Sequence, residues 1–328
     1  MPKVTVIMPV YNGKHFVAEA MASVLAQRGT DLELIVSNDG STDNTLEIVE
    51  AIAGQDARVR IMTRTNSGRP SFPKNDGIAA ARGEYLCFLD HDDLYDADRT
   101  HQLVEGLEQH PEWVAAFHDL RLIDSAGGPL PGSYLADVDF IRHAAEYLTP
   151  LQDDWFECSS GFFVYQSLFT AALHTQSVLI AVNRLPANTV QFNTDFTICE
   201  DTDLWIRLGL LGKMGYLNRV LSSYRQLDTS ITKNQAKFFA DSVRMHQANL
   251  QRIQTQLSSE QVHRYRAKIA AGLEALGYAH YEKGRMRDAR AAYRRSLVWE
   301  PGRTAATGYL KSLVPGAVRR GIKSLTQR

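Results

Sequence analysis

Cysteine is scarce in this chain, and long apolar runs are missing altogether. The three cysteines, Cys87, Cys158 and Cys199, are odd in number, widely spaced and without a CxxC pair. That pattern speaks against a disulfide framework and against a zinc knuckle. A reducing compartment is therefore expected, and the protein is read as cytoplasmic. No stretch approaches the roughly 20 apolar residues needed to span a bilayer. The N-terminus MPKVTVIMPV enters a strand-like run instead of a charged and then apolar leader. An excess of either charge is also lacking, since 36 Lys and Arg stand against 37 Asp and Glu. No nucleic-acid partner is expected from that balance, and any charged ligand must be met locally. Several motifs are missing too. YNGKHF follows the first strand in place of a GxGxxG fingerprint, and GLLGKM at Gly209 lacks the spacing and the Ser/Thr of a phosphate-binding loop. Neither GxSxG nor HExxH occurs, and His91, His118 and His174 are not read as zinc ligands.

What is present is a chain of 328 residues, 44% hydrophobic and 22% charged. That is enough for one large α/β domain with an appendage, or for two ordinary domains. In the first ninety residues, β-branched runs end in polar turn residues and are followed by helical apolar periods, which predicts parallel βαβ units. The strand-like runs are VTVIMPV from Val4, LELIV from Leu32, VRIM from Val59 and EYLCFL from Glu84. Between them, Val17, Ala20, Met21 and Val24 share one helical face, as do Leu46, Val49 and Ile52. Open parallel sheets bind ligands beyond the carboxyl ends of their strands. Tyr11-Asn12-Gly13, Asn38-Asp39-Gly40-Ser41 and Asp90-His91-Asp92 each follow a strand directly, so all three are expected to line one crevice.

From Val114 to Ile198 the pattern is irregular. A strand-like VAAFHDLRLID leads into a GGPLPG turn, a helix-like stretch from Asp137 to Leu148 and an aromatic-rich stretch with Trp155, Phe156 and Tyr165. Helical spacing returns in DLWIRLGLLG, where Leu204, Trp205, Leu208 and Leu211 share a face. From about Lys237 the chain is helical, and Leu276, Gly277, Gly284, Ala289, Tyr293 and Pro301 fit the spacing of one tetratricopeptide hairpin. A single such unit cannot bury its face alone, so it is expected to dock on the main domain or on a second subunit, giving a homo-oligomer. After Glu300 no acidic residue follows, while Arg303, Lys311, Arg319, Arg320, Lys323 and Arg328 accumulate among apolar residues. This tail reads either as a basic amphipathic helix for peripheral contact with an anionic membrane or as a solvated helix.

The chemistry is carried by FLDHDDL, residues 88 to 94, with three carboxylates in four positions. In an extended segment Asp90 and Asp92 project to one side and His91 to the other. Converging carboxylates are costly without a cation, and an oxygen-rich site with few protein ligands suits Mn2+ or Mg2+ holding a diphosphate. Asp96 and Asp98, ahead of RTHQLVEGLEQH, are read instead as helix caps. Within NDGSTDNT, Asp39 is either a turn residue or a fixed acceptor for a nucleobase N–H. Within CEDTDLWIRL, Asp201 is an N-cap, a general base or both, because a helix N-terminus keeps a carboxylate ionised and able to take a hydroxyl proton. Arg69, Lys74 and Arg225 are candidate counter-charges for phosphates, or solvated surface cations. Trp155, Phe156 and Tyr165 either stack on sugar rings or belong to the core.

Taken in order and spacing, VTVIMPVYNG, ELIVSNDGSTDNT, NSGRPSFPKNDGIAAARGEYLCFLDHDDL and CEDTDLWIRL resemble the family 2 glycosyltransferases of the GT-A fold. The resemblance spans roughly residues 3 to 230. It implies an α/β, Rossmann-like, mostly parallel sheet flanked by helices over 1–236, with a nucleotide-binding half 1–113 and an acceptor-side half 114–236. An all-α C-terminal region over 237–328 completes the expected organisation. It also implies a nucleotide-sugar donor, most often a UDP-sugar, a divalent metal, and inverting transfer of a hexosyl or N-acetylhexosaminyl group to a glycan or lipid-linked glycan. The expected destination is a cell-surface polysaccharide. By the same resemblance Pro9, Val10 and Tyr11 line the nucleoside pocket, Asp39 contacts the base, and Asp90, His91 and Asp92 are the DxD motif, with Asp92 the metal ligand. Asp201 is then the catalytic base and Glu200 orients the acceptor; Trp155 is expected as an acceptor contact on its aromatic ring alone and not from the resemblance. Lys74 and Asn75 stand where the family often has Arg-Asn. An inactive nucleotide-sugar-binding or scaffold protein is the alternative. A nucleotidyltransferase is disfavoured by YNGKHF, a poor substitute for its Gly-rich basic loop.

Overall fold

The computed structural model describes residues 1–169, 172–228 and 230–314. The chain divides into two compact units, Met1–Asp228 and Thr229–Arg328. In the first unit the strands are β1 (Val4–Val10), β2 (Leu32–Asn38), β3 (Val59–Thr63), β4 (Tyr85–Phe88) and β5 (Leu94–Tyr95). They are followed by β6 (Trp113–Ile123), β7 (Leu148–Pro150), β8 (Trp155–Cys158), β9 (Val178–Ala181) and β10 (Lys213–Arg225). The sheet order is β3-β2-β1-β4-β9-β6-β10-β8-β7, with the short β5 also on β10. β1, β2, β3 and β4 run parallel, as the βαβ pattern predicts. β9 then pairs antiparallel with both β4 and β6, while β6 and β10 are parallel.

The period-2 geometry of β1 explains why its run is apolar on both faces apart from Thr5, whose hydroxyl donates to Glu33 at 2.7 Å. Val4, Val6, Met8 and Val10 pack on one face with Val17, Ala20, Met21 and Val24 of helix α1 (Val17–Leu25). Ile7 enters the opposite core with Phe88, Phe117 and Leu204. A strand buried on both faces has no polar side to show. Helices α2 (Thr45–Ala53), α3 (Ser71–Ala80) and α4 (Arg99–Gln109) complete the flanking layers.

Several local expectations change. The stretch from Asp137 to Leu148 is not one helix: Tyr134–Asp137 and Phe140–His143 are single turns separated at Asp139, whose φ of 49° is left-handed. The helix Glu200–Gly209 buries Leu204, Trp205 and Leu208, but it ends before Leu211, which is 45% exposed. Neither Asp96 nor Asp98 caps α4. Asp98 occupies the N-cap position without a side-chain bond, and Asp96 is drawn instead to Arg121 at 2.7 and 2.8 Å.

The second unit contains helices Gln235–Ile253, Ser259–Glu282, Met286–Trp299 and Arg303–Leu313. Ser258 and Gln261 form a capping box at the start of the second. Tyr293 wedges between neighbouring helices where glycine permits it, since a Cβ at Gly277 or Gly308 would lie 2.7 or 2.5 Å from its ring. No helix among the described residues is long and apolar enough to cross a membrane. Arg319, Arg320, Lys323 and Arg328 of the basic tail lie outside the described residues.

Candidate functional site

The polar clusters after β1, β2 and β4 meet at the carboxyl ends of these strands. Asn12, at φ 50°, donates its N–H to Ser41 Oγ at 3.0 Å and accepts from Thr42 N at 2.8 Å, which ties the loop after β1 to that after β2. Pro9 and Val10 are buried at the end of β1, and Val10 packs into the core, so Tyr11 is the exposed member of the three. Asp39 is 4% exposed. Its carboxylate accepts from Ser67 N and Ser67 Oγ and pairs with Arg64 Nε at 3.3 Å. A base N–H arriving there competes with Ser67.

The carboxylate cluster is a turn and not an extended segment. β4 ends at Phe88, and Asp93 N–H closes on the Asp90 carbonyl at 3.1 Å, so alternation does not govern where Asp90 and Asp92 point. His91 packs its ring against Gly13, where a Cβ would lie 2.3 Å from it. Asp93 is the buried member. Its Oδ1 accepts the Arg225 backbone N–H at 2.8 Å, and its Oδ2 has no hydrogen-bond partner among the described residues. Burial, reinforced by Asp92 and Asp90, pushes the Asp93 carboxyl well above the usual carboxylate range, and burial also raises Asp92. The three carboxylates thus do not share one environment, which eases their crowding.

Arg225 differs from its expected role as a counter-charge for diphosphate. It is 2% exposed, and its guanidinium already donates to the Asp92 carbonyl and to Glu19 Oε2, each at 2.8 Å, while lying over the Phe16 ring. Its charge is consumed in holding the turn against α1. Arg69 donates to the Thr194 carbonyl.

Lys74 joins the second carboxylate group to the first. It is 2% exposed on α3, with Nζ 3.0 Å from Glu200 Oε1 and 3.9 Å from Asp90 Oδ1. Burial pushes the Glu200 carboxyl up to about 7, against the neighbouring ammonium that holds it down. The Lys74 ammonium is itself held above its ordinary range by Asp90, Glu200 and Asp201, which outweigh its burial. Asn75 exchanges two hydrogen bonds with the Phe192 backbone, at 2.8 and 2.9 Å, and so anchors the segment leading into the Glu200 helix.

That helix begins with Cys199 at the N-cap position, at a left-handed φ of 68°. Asp201 therefore stands inside the first turn, not at the cap. It accepts the Thr202 N–H at 2.6 Å, with the Thr175 hydroxyl at 3.5 Å. His174 and Tyr224 were not singled out for this site by the sequence. The His174 ring lies between Tyr134 at 4.3 Å and Tyr224 at 5.3 Å. Burial lowers the His174 pKa against the raising effect of Asp201, Asp90 and Asp119. Burial raises the Tyr224 hydroxyl, with Asp93, Asp90, Asp92 and Asp201 acting in the same sense. No local pattern marks either residue: Tyr224 comes from the end of β10 and His174 from the segment before β9, both far in sequence from Asp90.

Trp155 is not part of this constellation. It sits on β8 opposite Leu217, whereas Arg225, at the carboxylates, is at the far end of β10. At about 3.3 Å per residue the separation along the strand is on the order of 20 Å. The indole packs on Trp113 at 5.4 Å instead of facing Asp201.

The profile described as Glycosyl transferase family 2 matches residues 5–168. The chain is also 35% identical over 235 residues to the glycosyltransferase GlyG of Streptococcus pneumoniae serotype 4, covering 71% of this chain and 73% of that protein. The chain belongs to glycosyl transferase family 2. It is 41% identical over 110 residues to the uncharacterized glycosyltransferase EpsJ of Bacillus subtilis, covering 34% of this chain and 32% of EpsJ. The chain spans a third or less of the length of the first curated relatives it matches. Among solved structures it is similar to S. aureus TarS 1-349 in complex with UDP-GlcNAc, with a TM-score of 0.60 and 15% identity, covering 94% of this chain and 89% of that one. It is likewise similar to the mannosyltransferase PcManGT from Pyrobaculum calidifontis in complex with GDP-Man and Mn2+, with a TM-score of 0.59 and 18% identity, covering 95% and 81%. These likenesses show the fold, an α/β GT-A architecture followed by a helical region.

A divalent cation is tested by the donors present. Among the described residues no group of three His, Cys, Asp or Glu side chains converges to hold a metal unaided. The turn does offer carboxylate oxygen from Asp92, destabilised in its charged form, beside the 36% exposed side chain of Asp90. A hard cation that takes few protein ligands and completes its shell with water and phosphate fits this set.

Proposed function

We propose that the chain is an inverting glycosyltransferase that moves a hexosyl or N-acetylhexosaminyl group from a nucleotide-diphosphate donor, UDP-linked in the first instance, to a hydroxyl of a glycan or lipid-linked glycan. The observation that carries this reading is Lys74, which reaches Asp90 on one side and Glu200 on the other, so that strand-end carboxylates and helix-start carboxylates face one space. The proposal is also supported by family membership and by the UDP-GlcNAc and GDP-Man seen in the two similar structures.

In this reading Tyr11 and Asp39 frame the nucleoside, and Asp92, beside Asp90, holds Mn2+ or Mg2+. The cation supplies charge stabilisation to the diphosphate that leaves. Asp201 takes the proton of the acceptor hydroxyl as its oxygen bonds to the anomeric carbon, while the bond from that carbon to the diphosphate breaks. Glu200, held by Lys74, keeps Asp201 and the acceptor in register. A destination in cell-surface polysaccharide is part of the same proposal, as is the reading of Leu276, Gly277, Gly284, Ala289, Tyr293 and Pro301 as one tetratricopeptide-like hairpin.

Calorimetric titration with UDP, GDP and dTDP, in manganese and again in EDTA, tests it. Metal-dependent binding of one nucleotide, weakened in Asp92→Ala, is the expected result. If no nucleotide binds in either condition, the strand-end carboxylates are structural and the transferase reading falls.

A further inference from the structure

Trp155 has a setting of its own. It lines a cavity of about 530 Å³ together with Gln102, Glu105, Gln152, Asp153 and Arg219. That volume lies within the range of small-ligand sites, about 300–1,000 Å³. One face of the indole is fixed from beneath. Trp113 packs on it, and α4 passes closely because residue 106 is glycine: a Cβ there would lie 2.3 Å from the indole. Trp113 in turn is stacked by His110 at 3.9 Å and 9°. Arg184 donates to the carbonyls of Leu107, His110 and Trp113, which locks the end of α4 under the pocket.

The rim is equally determined. Asp153 and Asp154, consecutive and not glycine, adopt left-handed φ values of 56° and 67°. Such a pair persists only where the surroundings over-determine it. Arg219 ties that turn to α4, donating to Asp154 Oδ2 at 3.0 Å and to Gln102 Oε1 at 3.1 Å.

The lining points to a ligand class. Two carboxylates and one guanidinium give no uniform field for a phosphate or a polyanion. Amide, carboxylate and guanidinium groups around a fixed indole offer donors and acceptors in one ring, with an apolar face beside them. A pyranose has that complement, with hydroxyls at its edge and C–H groups on its face. We propose that this pocket is a second carbohydrate-binding site, taking a neutral glycan by stacking a sugar ring on Trp155 and pairing its hydroxyls with Gln102, Asp153 and Arg219. It lies on the order of 20 Å along β10 from the carboxylates, so it holds a glycan outside the crevice. Its role as a tether for a polymeric acceptor rests on the transferase reading, whereas binding itself does not.

The test uses the full chain and four disaccharides: cellobiose, lactose, maltose and N,N′-diacetylchitobiose. Ligand-observed saturation-transfer NMR and tryptophan fluorescence report binding in wild type, Trp155→Ala, Gln102→Ala and Gln152→Ala. At least one disaccharide is expected to bind saturably, and Trp155→Ala and Gln102→Ala are each expected to weaken it about tenfold. Trp155→Ala also removes packing from Trp113, so Gln102→Ala and Gln152→Ala, half-buried or exposed and outside the core, keep the test decisive if that variant fails to fold. Binding of none of the four to wild type, or binding unchanged in Gln102→Ala, overturns the site. Disaccharide binding with no nucleotide binding in manganese leaves this site standing and removes the transferase reading.

Discussion

Arg225 donates its backbone N–H to Asp93 Oδ1 at 2.8 Å, and its side chain reaches the carbonyl of Asp92, also at 2.8 Å. One residue at the end of β10 therefore holds the C-terminal side of the turn that carries Asp90 and Asp92. Groups that orient metal-binding carboxylates typically change metal affinity by about 10- to 100-fold when removed. Arg225→Lys is expected to weaken manganese-dependent nucleotide binding by about tenfold or more, because a lysine cannot span the Asp92 carbonyl and Glu19 at once. Calorimetry in manganese checks this; an unchanged affinity would return Arg225 to the role of a bystander.

The parallel half of the fold was legible because its signal is local. The strands at Val4, Leu32 and Tyr85 are buried along their whole length, which writes itself as runs rich in apolar residues, while the edge strand at Val59 is only partly buried and is legible by its β-branched and apolar residues. Asp39, Asp90 and Asp201 were legible as strand-end and helix-start carboxylates. Arg225 was not, since its partner lies 132 residues away and nothing near it in the chain distinguishes a clamp from a phosphate contact. The distance of Trp155 from the carboxylates was not legible for a related reason: β8 reaches the sheet by pairing antiparallel with β10, and sequence order does not say at which end of that strand it lands. The broken segment at Asp139 shows the limit of periodicity, because a single left-handed residue interrupts a helical apolar pattern without altering it.

The buried pair Lys74 and Glu200 supplies a stability prediction. At 3.0 Å, with side chains 3% and 7% exposed, the Glu200 carboxylate has its compensating charge in Lys74, whose ammonium is shared with Asp90 at 3.9 Å. Removing one partner of such a pair typically costs about 3 to 5 kcal/mol, while replacing both by apolar groups is far less harmful. Urea denaturation is expected to show a large loss for Lys74→Met. A smaller loss is expected for Lys74→Met combined with Glu200→Leu. Simple additivity of the two single variants would contradict a direct pair.

Glu200 also sets a pH dependence whose sign is determined. Its carboxyl is raised to about 7 from an ordinary 4.5, so between those values the folded chain keeps a proton that the unfolded chain has lost. The contribution is fully present below 4.5 and is lost as pH rises through about 7. Lys74, raised from 10.5, adds a contribution that is constant over this window. The burial-lowered His174 acts with the opposite sign, gaining stability as pH rises. The readout is therefore the difference between wild type and Glu200→Gln. The urea midpoint of wild type relative to the variant is expected to fall from about pH 5 to about pH 8, and a flat difference would mean that Glu200 is ionised throughout.

Asp201 and His174 offer the sharpest separation of chemistry from architecture. Asp201 sits in the first turn of its helix, with the Thr175 hydroxyl 3.5 Å from its carboxylate. Asp201→Asn preserves shape and hydrogen bonding but cannot take a proton, so turnover is expected to fall about 10²-fold or more, with manganese-dependent nucleotide affinity retained. In the proposed reaction the proton goes to Asp201 and not to His174, which is packed between Tyr134 and Tyr224. His174→Phe keeps an aromatic ring in the gap and is expected to act mainly on the acceptor KM, leaving kcat within about tenfold of wild type. Steady-state kinetics over donor and acceptor concentrations resolve the two. Equal loss of kcat in both variants would assign proton transfer to the pair, whereas normal turnover in Asp201→Asn would remove the general base from the proposed reaction.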